Sequence, residues 1–227
     1  MRPIPRSTQR ELLDEPDVDP SELRRNLSEM AMLNRLPGGV DASVAATLRL
    51  LPGEADGSGR VLDVGAGAAD FARRLRRRSR AAIVLVDVSP RVLDSTRAAV
   101  AGMARVEVRE ADARDLPMPD GAVDVAHASL LLHHLDPRDA TAALAEMGRV
   151  ARAGVVVNDL RRGRLALAMT AAPILAFARS PMTRHDGILS SRRAYTLHEL
   201  DDLAATAGLR PTARTTRWWP RVTTTYR

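Results

Sequence analysis

Cysteine is absent from the 227 residues, and so is lysine: all 34 basic side chains are arginine. Without cysteine there is no disulfide, no thiolate metal ligand and no thiol nucleophile, and the cytoplasm is the expected compartment. The all-arginine set reads as the codon usage of a GC-rich bacterial genome rather than as a functional choice. Aromatics make up only 3%, so base-stacking platforms have little material beyond Trp218 and Trp219. Long apolar runs are missing too. The longest, Leu165 to Ala178, contains Pro173 and falls short of the roughly twenty residues that cross a bilayer. The first twenty residues mix Arg, Pro, Glu and Asp, so neither a secretory signal nor a membrane span is expected there. The formal charge of +6 is spread along the chain. Its densest patch, Arg73 to Arg80, reads as the outer face of a helix whose Phe71, Ala72 and Leu75 point inward. Nucleic acid is therefore a disfavoured partner.

What is present is a buried run leading into a glycine turn, Val61-Leu62-Asp63-Val64-Gly65-Ala66-Gly67-Ala68-Ala69-Asp70. Gly65 and Gly67 permit a tight turn and close approach of a ligand to the backbone, while Asp63 places negative charge beside that ligand. A dinucleotide diphosphate would be repelled by Asp63, and its fingerprint wants a small residue where Asp70 stands. A cationic ligand is preferred. Two more acids close apolar runs: Asp87 after Ala82-Ile83-Val84-Leu85-Val86, placed to accept from ribose hydroxyls, and Asp112 in the loop after Val106 to Glu110. Ala122 to Ser129 and Gly154 to Asp159 supply a fourth and a fifth run.

With these landmarks in order, residues 60–160 resemble the class I methyltransferases dependent on S-adenosylmethionine, and within them the group that modifies small quinone-like, polyketide-like or phenolic molecules; the tail after 196 extends the likeness. The resemblance implies an α/β fold, a Rossmann-like seven-stranded, mostly parallel sheet flanked by helices, with an antiparallel C-terminal strand and an N-terminal helical extension. It implies S-adenosylmethionine as cofactor, with Asp63 and the Gly65 to Gly67 turn at the methionine end, Asp87 at the ribose, and Asp112 with the Ala113 amide at the adenine. The expected cofactor set is completed by Ala66, Val88, His127 and Ser129. One departure is visible: the family often carries a third glycine where Ala69 stands.

Residues 1–55 read as a loose arm and a helical cap, and 56–227 as the methyltransferase domain with a substrate-pocket insertion at about 160–195. Ser21 is the expected cap of a helix reaching about Leu36, stopped by Pro37-Gly38-Gly39, and a second helix runs from about Asp41 to Leu51 before Pro52-Gly53. These helices either cover the cofactor or shield a sheet edge. Beyond them, alternating strands and helices (strands at 60–64, 82–87, 105–109, 122–128 and 154–159) imply a parallel sheet with right-handed crossovers. An apolar helix, Leu165 to Ala178, and a polar loop, Arg179 to Tyr195, interrupt the rhythm. Thr196 caps a helix to Ala207, and two closing runs follow, with Pro220 at the turn between them.

Methyl transfer to a hydroxyl requires loss of a proton, which histidine suits near neutrality. His185, in the insertion with Asp186 beside it, is the preferred base; the pair His133-His134 is the second candidate, with a structural or cofactor-side role as its competitor. His198 is expected at the surface. The apolar helix is expected to wall a cavity for a flat or greasy acceptor, with Met169, Phe177, Asp186 and Asn158 as substrate-contacting residues. Ala128-Ser129-Leu130-Leu131 lacks the Asn/Asp-Pro-Pro-Tyr element of enzymes acting on planar nitrogen, which disfavours such acceptors. No metal is expected, because Asn158-Asp159 furnishes half of a hard-cation site and no carboxylate stands opposite it near His127 to Ser129. The partner is a small-molecule substrate, with a homodimer left open. The reading is O-methylation; its rivals are C-methylation of a quinone or polyketide ring, a cofactor-binding subunit without catalysis, and RNA methylation.

Overall fold

A computed structural model describes residues 4–14, 17–33, 39–52, 59–216 and 220–227. Seven strands form one sheet: β1 (Arg60–Val64), β2 (Ala82–Asp87), β3 (Val106–Glu110), β4 (Val123–Ser129), β5 (Ala151–Leu160), β6 (Pro211–Thr215) and β7 (Arg221–Tyr226). Their order is β3-β2-β1-β4-β5-β7-β6. The first five run parallel, and β7 enters antiparallel to both β5 and β6. The strand order reverses between β1 and β4, and ligands in open sheets of this kind bind above the strand ends at such a switch point.

Eight α-helices are present among the described residues: α1 (Pro20–Leu33), α2 (Val40–Leu50), α3 (Asp70–Arg76), α4 (Pro90–Ala99), α5 (Pro137–Val150), α6 (Arg164–Phe177), α7 (Pro181–Arg193) and α8 (Leu197–Thr206). None is long and apolar enough to cross a membrane. Two 3-10 turns, Leu12–Asp14 and Leu132–His134, lie outside the sequence expectation.

Side-chain alternation along the strands builds two cores, one on each face of the sheet. Leu62, Val64, Val84, Val86, Val155 and Val157 pack with Leu144 and Met147 of α5 and Leu200 of α8. Val61, Ile83, Leu85, Val125 and Val156 pack on the other face with Val44 of α2 and Phe71 and Leu75 of α3. The same parity assigns Asp63, Asp87 and His127 to the α3 face, since Asp63 lies between Leu85 and His127 in register. It also sends neighbours Asn158 and Asp159 to opposite faces.

Several local expectations need correction. Asp19, not Ser21, caps α1: its Oδ1 accepts from the Ser21 amide at 2.8 Å and the Glu22 amide at 3.2 Å. The segment Arg179 to Tyr195 is not a loop but carries α7, with Ser180 accepting from the Thr183 amide and Pro181 in the first turn. Its polar residues Thr183, Asp186, Ser190 and Ser191 are buried against the arm and neighbouring helices, so no apolar stripe marks it in the sequence. α6 is apolar as expected, yet Leu165, Met169, Leu175 and Phe177 are exposed and only Ala166 and Ile174 are buried. Thr196 does cap α8, in a capping box with Glu199, and His198 is at the surface. The expected stops at Pro37, Gly38 and Gly53, and Trp218 and Trp219 before the Pro220 turn, lie outside the described residues.

Candidate active site

The turn after β1 follows from its glycines. Gly65 and Gly67 have φ of +70° and +50°, and the Gly65 and Ala66 amides donate to Val86 O at 2.9 and 3.0 Å, closing the loop over the end of β2. A Cβ on Gly65 would come within 3.0 Å of Leu131 Cδ1, whereas at Gly67 the nearest atom is Gly65 O at 4.0 Å. Space for a ligand therefore opens at the second glycine. Ala69, the departure from the family's glycine, has φ +57° and is fully buried. The left-handed conformation costs an L-residue about 1–2 kcal/mol, which is why glycine is favoured there.

The acids take up distinct roles. Asp63 is buried, and its Oδ1 lies 2.7 Å from His127 Nδ1, the spacing of a charge-assisted hydrogen bond. His127 is fully buried and stacks on Phe71 at 3.7 Å between ring centroids. It orients Asp63 from behind rather than walling the cavity, so the expectation that it touches a ligand is replaced by a positioning contact. Asp87 accepts from the Gly67 amide at 3.3 Å and the Ser89 amide at 3.0 Å. Burial raises its carboxyl above the ordinary value, against the pull of those amides.

Asp112 is engaged elsewhere. The Arg114 guanidinium and amide both donate to it, and the guanidinium holds its carboxyl below the ordinary value. Arg114 also reaches Asp139 at 2.8 Å. Neither Asp112 nor Ala113 lines the cavity described next.

A cavity of about 700 Å³ opens over the switch point. Its walls include Asp63, Gly65, Ala66, Gly67, Asp87, Val88 and Ser129 from the strand ends, Glu11 and Leu13 from the arm, Asn26 and Met30 from α1, His133 and His134 after β4, and Asp186 and Ser190 from α7. A smaller recess of about 100 Å³ shares Met30, Leu130, His133, Gly187 and Ser190 with it and continues between Leu33, Met169, Pro173 and Ile174. Arg221 also lines the recess; burial pushes its guanidinium down to about 10. Leu130, common to both spaces, has φ +55°, an unusual conformation for a bulky residue, and its amide donates to Asn158 O at 2.9 Å.

The far end of the cavity assembles from segments far apart in the chain. Asp186 of α7 accepts from the Leu12 and Leu13 amides at 2.9 and 3.0 Å, docking the arm. Arg6 donates to Leu135 O at 2.7 Å, and Arg193 to His133 O at 3.0 Å and to His134 O, so two guanidiniums clamp the turn that carries both histidines. His133 Nδ1 lies 2.6 Å from Asp159 Oδ1.

Of the histidines expected in catalysis, His133 and His134 face the cavity and His185 does not. His185 sits on α7 with its side chain half exposed, 2.9 Å from Asp186 Oδ1. The pairing anticipated from the sequence is present, but it points away from the site. Met169 lines the recess, whereas Phe177 is 62% exposed and touches neither space. Asn158 lines neither space; it is buried on the α2 face of the sheet, where its Nδ2 donates to Gly39 O at 2.9 Å and to Thr223 Oγ1 at 3.0 Å. Sequence reasoning missed Glu11, Asn26 and Ser190. They carry no local motif and meet the site only through tertiary packing.

Residues 61–154, from β1 into β5, match the family of methyltransferase domains. No protein of curated function matches the sequence. Among solved structures, a S-adenosylmethionine-dependent methyltransferase from Aquifex aeolicus superposes with TM-score 0.65 at 19% identity, covering 92% of this chain and 98% of that one. Human N-acetylserotonin methyltransferase in complex with S-adenosylmethionine gives 0.67 at 15%, covering 91% and 56%. Magnesium protoporphyrin IX methyltransferase from Synechocystis, with S-adenosylhomocysteine bound, gives 0.57 at 15%, covering 93% and 89%. At such identities the likeness is one of fold. The match over residues 61–154 supports a methyltransferase domain there, the solved structures extend the likeness of fold to most of the chain, and S-adenosylmethionine is the cofactor such a domain implies. The side chains fit that group: two carboxylates, Asp63 and Asp87, face the cavity beside the open space at Gly67, suited to an ammonium and to ribose hydroxyls and unsuited to a diphosphate.

Proposed function

We propose that this chain transfers a methyl group from S-adenosylmethionine to a hydroxyl of a small aromatic or polyketide-like molecule. The observation that carries the reading is the continuity of the cavity: carboxylates at the strand ends, imidazoles at the far side, and an apolar recess beyond them. When bound, the cofactor supplies a methyl group on a positively charged sulfur, activated for in-line displacement. Asp63, held by His127, takes the ammonium end and Asp87 takes the ribose; Asp112 and Ala113, which lie off the cavity wall, are withdrawn from the adenine side. Val88 and Ser129 border the same space.

His133 and His134 are assigned to the acceptor oxygen, and His185 is withdrawn from that role because it lies off the cavity wall. Met169 contacts the acceptor from the recess, and Asp186 shapes the pocket by docking the arm. Phe177 and Asn158 are no longer counted as substrate contacts. Fixing nucleophile and methyl group in one walled space supplies much of the acceleration expected of such transfers, by orientation alone.

The test is product analysis. Purified protein is incubated with methyl-labelled cofactor and a panel of phenols, hydroxyquinones and hydroxylated polyketides bearing aliphatic substituents, with bulk RNA as a further arm. The expected product is a methyl ether. Label on a ring carbon replaces the oxygen reading with C-methylation, and label in RNA replaces the small-molecule reading. Tight binding of S-adenosylhomocysteine without transfer to any acceptor leaves a cofactor-binding subunit.

A further inference from the structure

We infer that Glu11, His133 and His134 form a binding site for one divalent first-row cation at the acceptor end of the cavity. The inference rests on the methyl-transfer reading above and names how the acceptor oxygen is held. One potential ligand atom from each of the three residues lies within 4.8 Å of the others. Two imidazoles and one carboxylate are the donor set favoured by Zn²⁺, Mn²⁺, Fe²⁺ or Co²⁺, and too nitrogen-rich for Mg²⁺ or Ca²⁺.

The spacing argues for a cation rather than for direct hydrogen bonds. Glu11 Oε1 is 3.9 Å from His133 Nε2, and Oε2 is 3.7 Å from His134 Nδ1. Both exceed the roughly 3.2 Å reach of a good hydrogen bond. They lie a few tenths of an ångström beyond the edge of a tetrahedron built on metal–ligand bonds of about 2.0–2.2 Å, roughly 3.3–3.6 Å. A slight closing of the side chains completes the set. Glu11 is only 2% exposed, and its Oε1 accepts from the Ser190 hydroxyl at 2.8 Å. A buried carboxylate is costly unless compensated, and a cation shared with the two imidazoles would compensate it.

The surroundings are those of a metal centre. Asp159 fixes the His133 ring through Nδ1 at 2.6 Å and leaves Nε2 toward Glu11, the carboxylate–histidine arrangement that orients metal-bound imidazoles. The clamp by Arg6 and Arg193 engages main-chain carbonyls of the turn, holding both histidines in place. All three side chains line the cavity. A bound cation therefore keeps an open position toward the acceptor, the mark of a catalytic rather than a structural site. An acceptor hydroxyl entering that position becomes more acidic, and its proton leaves to solvent while the oxygen keeps the electron pair.

The site escaped the sequence argument because Glu11 stands more than a hundred residues from the histidines. The carboxylate of the set comes from the arm rather than from beside β4 and β5.

The experiment measures metal on the full-length chain. Purified protein is stripped with chelator, loaded with Zn²⁺ or Co²⁺ and desalted. Metal is then counted by elemental analysis, and the Co²⁺ form is examined by electronic absorption and X-ray absorption. The expected result is one equivalent per chain, with two imidazoles and a carboxylate oxygen around Co²⁺. Glu11→Gln should lower retention at least tenfold, with the fold checked by circular dichroism. Asp159→Asn should weaken metal affinity about 10–100-fold. Less than half an equivalent on the native chain, or equal retention by a folded Glu11→Gln variant, overturns the inference. Should Glu11→Gln fail to fold, X-ray absorption on the native chain decides by the ligands it finds. Calorimetry with S-adenosylhomocysteine runs in parallel: cofactor binding without metal removes only the cation, and metal without cofactor binding removes the methyl-transfer reading.

Discussion

The two ends of the cavity are built in opposite ways. At the cofactor end, Asp63, Gly65, Gly67 and Asp87 lie within about 25 residues on two hydrogen-bonded strands, and strand parity alone places the carboxylates on one face. At the acceptor end, Glu11 comes from the arm, Met30 from α1, His133 and His134 from the turn after β4, and Ser190 from α7. The first end is local in sequence and anchored to the sheet, and the second is a meeting of distant segments held by Asp186, Arg6 and Arg193. Such a division lets one cofactor scaffold serve many acceptors, since the acceptor end changes without disturbing the strands.

Breaking the cofactor end should have the largest effect. Asp63→Ala removes the charge facing the ligand and strips His127 of its partner, and leaving a buried hydrogen-bonding group unpaired costs about 1–3 kcal/mol. Affinity for S-adenosylhomocysteine is expected to fall by 10² or more in calorimetry. A fall under threefold in a folded variant would refute the assignment.

The acceptor end should fail differently. Asp186→Ala deletes two hydrogen bonds from the Leu12 and Leu13 amides to a carboxylate, each worth about 1.5–3 kcal/mol. Faster hydrogen exchange and proteolysis at residues 4–14 are expected, with acceptor KM raised and cofactor affinity changed less than threefold. If cofactor affinity falls as far as it does for Asp63→Ala, the two ends are not separable.

A smaller effect is expected at the contact between α6 and α7, where a Cβ on Gly187 would lie 2.5 Å from Ile174 Cδ1. Gly187→Ala overpacks that contact at about 1–3 kcal/mol. For a chain this size the melting temperature should drop by roughly 2–12 °C, at about 2–4 °C per kcal/mol. An unchanged melting curve would show that the helices part freely.

The gentlest probe is alkaline titration of the only two tyrosines. Burial pushes both Tyr195, beside the arm, and Tyr226, in the sheet, up to about 12. A phenol whose folded value is raised contributes stability in full below the unfolded value near 10, and loses it as pH climbs toward 12. Phenolate absorbance should therefore be absent at pH 10 in the native chain and present in urea. Native absorbance at pH 10 from one tyrosine, assigned by Tyr195→Phe, would show which end loosens first.

Legibility followed the same division. The glycine turn and the acids at the strand ends could be read because strand parity and φ > 0 are local demands on residue type. The role of His127 could not, since only packing against Phe71 and Asp63 turns a strand-end histidine into a buried support. α7 was hidden because its inward face is polar, satisfied by partners from the arm and α1 instead of by an apolar core. His185 does lie beside Asp186, but on a helix rather than a folded loop, and α7 directs Asp186 to the arm and leaves His185 half in solvent.

What the sequence determined by itself was the sheet, its crossovers and a crevice that favours a positively charged ligand, because hydrophobic period and turn chemistry act over a few residues. What only the tertiary structure decided was which polar side chains meet at the far wall. Glu11 and His133 are brought together by the closing of the arm over α7, a long-range contact whose energy is set by burial and by clamping arginines and leaves no trace in local pattern.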